Sequence, residues 1–215
     1  MLMETEFAGA VQVQGRTHHT PGLPPATHAT AISYYAPNAM IYAQGDTAGP
    51  LYQVAFGAVR ICRLTADGRR QISAFHFAGE VFGFEATSEH HFCAESIEGT
   101  GIRVLRAATG DGYAGQILPL ALAGLSRAQE HLLVLGRQNA TERLAAFLLD
   151  LNDRQGNHEE IDLPMQRLDI ADYLGLTFET VSRVFRRLKD ARIVALPTAR
   201  HVDILDLGAL ETLCE

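Results

Sequence analysis

Residues 163–194, LPMQRLDIADYLGLTFETVSRVFRRLKDARIV, constrain the fold more than any other stretch of this 215-residue chain. Leu168, Ile170, Ala171 and Leu174 have the spacing of one helix face. Gly175 follows, a residue able to take the left-handed conformation of a tight turn, and Leu176 can plug the angle between two helices. Thr177 is placed to cap the next helix, expected over about residues 178–190. That helix would bury Val181, Val184, Phe185 and Leu188 and present Glu179, Ser182, Arg183 and Arg186. The plain alternative is a generic helical hairpin. Turn, cap, plug and exposed polar set agree, however, on a helix-turn-helix with a basic outer face.

Charge is distributed to match. The net charge is −7, from 18 Lys and Arg against 25 Asp and Glu, yet residues 164–200 alone carry +3. The flanking segments carry −6 and −4. Exposed charges are screened beyond about 8 Å at physiological salt, so a local basic face matters more than the total. The acidic average therefore does not exclude DNA as a partner.

Hydrophobic residues make up 47% of the chain, enough for one or two ordinary domains. No stretch approaches the roughly 20 uninterrupted apolar residues of a membrane-spanning helix. The start, MLMETEFAGAVQVQG, has two acids before its first base and no secretory pattern, so a cytoplasmic protein without membrane attachment is expected. Cys62, Cys93 and Cys214 are odd in number and widely spaced, which fits neither a disulfide framework nor a CxxC metal pair.

Residues 1–30 lack apolar density and are expected to be a mobile arm; a metal tract at His18, His19 and His28 is a minor alternative. Residues 31–110 show short alternating runs with Asp67-Gly68 as a hairpin turn and glycines at 45, 57, 68, 79 and 83, which predicts an antiparallel β-roll or barrel. From about Pro119 to Arg137 the period changes. Leu118, Ala121, Leu125, Ala128, Leu132 and Leu135 recur as a heptad seam, while Leu120, Leu122, Leu133 and Val134 lie off it. A helix apolar on two faces can cover the roll with one and meet a second copy with the other, so residues 111–138 are assigned as a dimerisation helix. Packing entirely within its own domain is the alternative. TERLAAFLLDLNDRQG is a further amphipathic helix with Thr141 as cap and Gly156 as stop, opening a DNA-binding domain over 139–215. The fold class expected is α+β.

Glu179 and Arg183 are four residues apart, so they project from one face near the N-terminus of the second helix, the end that enters a major groove. A carboxylate accepts from cytosine N4, and a guanidinium pairs with guanine O6 and N7, so together they can read one G·C pair. Ser182 can bond a neighbouring base or phosphate, and Phe178 can touch a thymine methyl. Arg167, Thr177, Thr180 and Arg186 are assigned to phosphates.

These residues carry a resemblance. The pattern LPMxRxDIADYLGLTxETVSR is similar to that of the CRP/FNR superfamily of bacterial transcription regulators, most of all its FNR/FixK branch, and the likeness covers about residues 30–215. It implies a roll like a cyclic-nucleotide-binding domain, a long dimer helix and a winged helix-turn-helix with Thr198-Ala199-Arg200 in the wing. It also implies a TTGAT half-site repeated as ATCAA after about four bases, read by a homodimer whose two helices stand about 34 Å apart. An activator that contacts RNA polymerase and controls microaerobic, anaerobic or nitrogen-fixation genes is the function implied.

The sensor half departs from the resemblance. Phe92-Cys93 stand where nucleotide-binding members carry Arg-Ser, and Ala128-Gln129 replace a Thr-Ser pair, so no cyclic nucleotide is expected. Residues 1–61 hold no cysteine, which excludes the family's N-terminal iron–sulfur cluster. No cofactor is expected. Cys62 and Cys93 are expected as small buried hydrophobes and Cys214 as an exposed thiol. His76, Glu80, His90 and His91 support an alternative, a ligand-, redox- or metal-sensing barrel in which DNA binding is secondary, with a metal enzyme third; adjacent His90 and His91 on a strand would point to opposite faces. No catalytic signature is present, so an enzyme is not expected.

Overall fold

The computed structural model describes residues 31–65, 68–105, 112–136 and 139–214. The N-terminal arm with its three histidines, and Asp67 of the expected hairpin turn, lie outside the described residues. Eight strands come first: β1 (Ile32–Tyr35), β2 (Met40–Tyr42), β3 (Leu51–Phe56), β4 (Ala58–Leu64), β5 (Arg70–Phe77), β6 (Val81–Phe82), β7 (Cys93–Ser96) and β8 (Thr100–Leu105). They form two antiparallel four-stranded sheets, ordered β1-β8-β3-β6 and β2-β7-β4-β5. The run LYQVAFGAVRICRL, one segment by its alternation, is cut at Gly57, where the chain crosses from one sheet to the other. Gly57 has φ +81°, and a Cβ there would lie 2.7 Å from both the Gly99 carbonyl and the Thr100 hydroxyl, so the corner requires glycine.

Tyr42, Val54, Val59, Phe82, Ala94 and Ile102 fill the space between the sheets. The second sheet is buried on its other face too. Ala58, Cys62, Ile72, Phe75 and Cys93 continue into the core of the helical half, so roll and helices share one apolar interior.

The helical half begins with α1 (Gly112–Gly136) and α2 (Ala140–Arg154). Pro119 lies inside α1 rather than near its start. The cap of α2 is Asn139, not Thr141: its side-chain oxygen accepts from the Thr141 and Glu142 amides at 2.7 and 3.2 Å. Both residues suit an N-cap; Ala140, already packed against the core, places the helix start two residues before the one Thr141 would give. Next come β9 (Glu160–Asp162), α3 (Arg167–Leu174), α4 (Phe178–Asp190), β10 (Val194–Thr198), β11 (His201–Ile204) and α5 (Leu207–Thr212). β10 and β11 make the wing hairpin, and β9, which the sequence did not signal, pairs with β11 to complete a three-stranded sheet. The architecture is α+β, as expected.

Candidate DNA-binding surface

Local chemistry builds the helix-turn-helix as the sequence predicts. Gly175 ends α3 in the left-handed region at φ 63°, Leu176 packs partly into the core, and the Thr177 hydroxyl accepts from the Thr180 amide at 3.2 Å. Val181, Val184, Phe185 and Leu188 of α4 are buried. Leu168 is the exception in α3: it is 50% exposed, because Ile170, Ala171 and Leu174 already fill the inward face.

The other face of α4 is open. Phe178, Glu179, Arg183 and Arg186 are exposed and Ser182 is half-buried. Among the described residues Glu179 makes no ion pair, and the Arg183 guanidinium reaches the Thr180 hydroxyl at a long 3.4 Å. The Thr177 hydroxyl donates to the same Thr180 oxygen at 3.1 Å. Thr177 is thus committed to capping, while the hydrogen of the Thr180 hydroxyl stays free to donate. Arg167 is half-buried, its guanidinium 4.9 Å from the centre of the Phe185 ring, which ties the start of α3 to the core side of α4.

Contacts across the molecule hold α3. Asp169, 3% exposed, accepts from Gln166 N in the capping box and meets two roll arginines: Arg70 Nη2 at 2.5 Å and Arg60 Nη1 at 3.4 Å. Arg70 Nε also donates to Asp172 at 2.8 Å, and Gln71 Nε2 donates to the Asp172 carbonyl at 2.7 Å. Burial works against the charge on Arg70, but Asp172 and Asp169 outweigh it and hold its pKa above the ordinary value. At the other end of α3, His131 of α1 stacks on the Tyr173 ring at 3.8 Å and its Nε2 lies 2.9 Å from the Tyr173 carbonyl. Burial pushes the pKa of His131 down, which keeps the ring neutral.

On α1, Leu118, Leu122, Leu125, Leu132 and Leu133 form an exposed ridge, 54–73% accessible. Of the other seam residues, Ala128 is exposed, and Ala121 and Leu135 are half-buried. Between α1, α2 and the roll lies a cavity of about 510 Å³, walled in part by Phe82, Phe84, Phe92 and Ala128. Arg127 and Arg154 also line it, guanidinium groups that motif reading overlooked. Arg154 is engaged: its Nη2 donates to Glu80 at 2.8 Å and to the Phe75 carbonyl at 2.8 Å.

The remaining sensor residues are corrected in part. His90 and His91 are not on a strand; both turn to one carboxylate, with Nδ1 of each 3.3 and 3.0 Å from Glu85. His90 is buried and stacked on Tyr42, His91 exposed. Among the described residues no group of three or more His, Cys, Asp or Glu is arranged to hold a metal ion. Cys62 and Cys93 are buried with sulfurs 3.6 Å apart, and burial, with Glu95 nearby, pushes the Cys62 thiol up to about 12. Cys214 is half-buried against the core rather than freely exposed. No helix among the described residues is long and apolar enough to cross a membrane.

Comparison with known proteins agrees with this geometry. A Crp-like helix-turn-helix domain matches residues 142–213 and a cyclic nucleotide-binding domain matches residues 32–105. The nitrogen fixation regulation protein FixK of Rhizobium meliloti (strain 1021) is 51% identical over 193 residues, covering 90% of this chain and 92% of that relative. FixK of Azorhizobium caulinodans is 43% identical, covering 83% of this chain and 77% of that relative. The solved structure of FixK2 from Bradyrhizobium japonicum superposes with a TM-score of 0.82 at 37% identity, covering 87% of this chain and 98% of that one. With its roll, open recognition helix and wing matched over nearly their whole length, the chain belongs to the CRP/FNR family of DNA-binding transcription regulators and is FixK-like, not an enzyme.

Proposed function

We propose that two copies of this chain, paired along α1, read a palindromic TTGAT-type site with the exposed face of α4. The observation that carries this is the pair of uncommitted charges on the first turns of α4, Glu179 and Arg183, on a helix whose opposite face is buried. Glu179 accepts from cytosine N4 and Arg183 donates to the paired guanine; Ser182 and Phe178 meet neighbouring bases. Arg167, Arg186 and Thr180, with the capped helix start at Thr177, take phosphates. Residues 31–110 are then a sensor-like roll, 111–138 the dimer helix and 139–215 the DNA-binding domain. The FixK relatives named above regulate nitrogen fixation, which supports control of such genes by this chain. The same proposal includes a cytoplasmic activator that contacts RNA polymerase and serves microaerobic or anaerobic genes, as the family resemblance implies.

Selection of bound sequences from random DNA gives half-site and spacing together. Glu179→Ala or Arg183→Ala is expected to lose about 1–3 kcal/mol of discrimination at the G·C pair, measured against the substituted site. Full preference in either variant would sink the base assignment. Arg186→Ala should instead weaken all sequences alike and flatten the salt dependence.

DNA binding is expected without a small effector. The side chains of Phe92 and Ala128 offer a phosphate no donor, and Arg154 is neutralised by Glu80. Among the described residues this leaves Arg127 as a lone guanidinium on the cavity wall in place of a built phosphate cradle. A fluorescence-anisotropy titration that needs added cyclic nucleotide would refute this.

A further inference from the structure

The family supplies the reading helix, but how this chain aims that helix is a separate matter. The α3 helix turns into α4 through three residues, Gly175 to Thr177, so whatever fixes α3 also fixes α4. Asp169 sits on the buried side of α3, and the start of its own helix provides its side chain one amide, from Gln166. All its other polar partners come from the roll, about 100 residues away in sequence. Arg60 is itself fixed before it reaches Asp169: Glu95 holds it at 2.7 Å and Asn38 accepts from Nη2 at 3.1 Å. Arg70 forks between Asp169 and Asp172, one turn apart on α3.

Apolar surfaces slide with little penalty, whereas a planar guanidinium fork between two carboxylates accepts a narrow range of orientations. Undocking α3 from the roll would break the pairs of Asp169 with Arg60 and Arg70 and expose the apolar interior that roll and helices share. We propose that the Arg60–Asp169–Arg70–Asp172 cluster is a latch through which the roll sets the angle of the helix-turn-helix. Arg70 and Asp169 are therefore positioning residues for half-site spacing. The second tether, His131 on Tyr173, references α3 to the dimer helix. Two tethers on different elements, the roll and α1, hold α4 at one angle to both. The latch rests on α4 being the DNA-reading helix.

The test uses Arg70→Met, which removes the fork and keeps an apolar stem, with Arg70→Lys as the conservative variant and Asp172→Asn as a milder break should Arg70→Met unfold. Affinities are measured by anisotropy on duplexes carrying the selected half-sites at the natural spacing and with one or two base pairs added or removed. The wild type should prefer its own spacing. In Arg70→Met, or in Asp172→Asn if the former unfolds, that preference should shrink by about tenfold, with Arg70→Lys between. A variant that loses affinity equally at every spacing has only lost stability, and that result overturns the latch. Hydrogen exchange in the DNA-free protein reads the tether independently: amides of residues 168–176 should exchange severalfold faster in Arg70→Met. Unchanged exchange also overturns the latch. Faster exchange in a protein whose wild type shows no sequence preference would overturn the α4 reading, and the spacing role with it.

Discussion

Replacing Leu125 by glutamate is expected to leave the protein folded, make it monomeric and lower its affinity for the paired site by on the order of 10³-fold, towards the non-specific level. Leu125 is 55% exposed on α1, so the substitution removes little from the core of a single chain. It lies midway along a ridge with Leu118, Leu122, Leu132 and Leu133, where each leucine, already partly buried, contributes roughly 1–2 kcal/mol when a second copy covers the rest. Two carboxylates facing each other across that seam would replace two such contributions by repulsion. Sedimentation velocity and circular dichroism read the two halves of the expectation separately. A Leu125→Glu protein that still sediments as a dimer would remove α1 from the interface. One that is monomeric yet binds the palindrome at full strength would remove the dimer from recognition.

The other large effect concerns stability. Arg154→Met is expected to cost about 3–5 kcal/mol, because it strands a buried carboxylate. Arg154 links α2 to the roll through Glu80 and the Phe75 carbonyl, and its guanidinium lies 4.4 Å over Phe77. Burial alone would raise the pKa of Glu80, but His76 and Arg154 prevail and hold it at about 2. A carboxylate held below its unfolded value near 4.5 stabilises the fold fully above that pH. That contribution, about 3 kcal/mol, is lost as pH falls through 4.5 towards 2. His76 acts in the same direction from a higher pH: burial lowers its pKa below 6.5, so the unfolded chain takes up the proton first. Urea midpoints measured between pH 7 and pH 3 should therefore fall, and Glu80→Gln should flatten the part below pH 4.5. Identical pH slopes in wild type and Glu80→Gln would show that Glu80 is not held ionised.

What could be read from the chain follows the range of the interactions. Gly175, Leu176 and Thr177 act within a few residues of themselves, so turn, plug and cap are legible in the sequence. The alternation of the roll strands is equally local. Asn139 and Thr141 are both good caps two residues apart, and only the start of the packed face decides between them. Strand β9 has three residues and exists because β11 offers it an edge, a fact no window of sequence contains. On a strand, adjacent His90 and His91 would point to opposite faces. In the irregular segment they occupy, the alternation rule does not apply, and Glu85 collects both. The Arg60–Arg70–Asp169–Asp172 cluster is the clearest case. Each member taken alone is an ordinary surface charge, and their pairing depends on how the roll docks on α3.

The leucine ridge on α1 has a dosage consequence. Where single chains predominate, the population of pairs grows with the square of total protein, so a threefold rise in synthesis yields about a ninefold rise in the binding-competent species. On the proposed function, a regulator that waits for no small molecule and works as a pair is governed by its own abundance. Transcription and proteolysis of the regulator become the input, and the promoters it serves respond to that input as a threshold rather than in proportion.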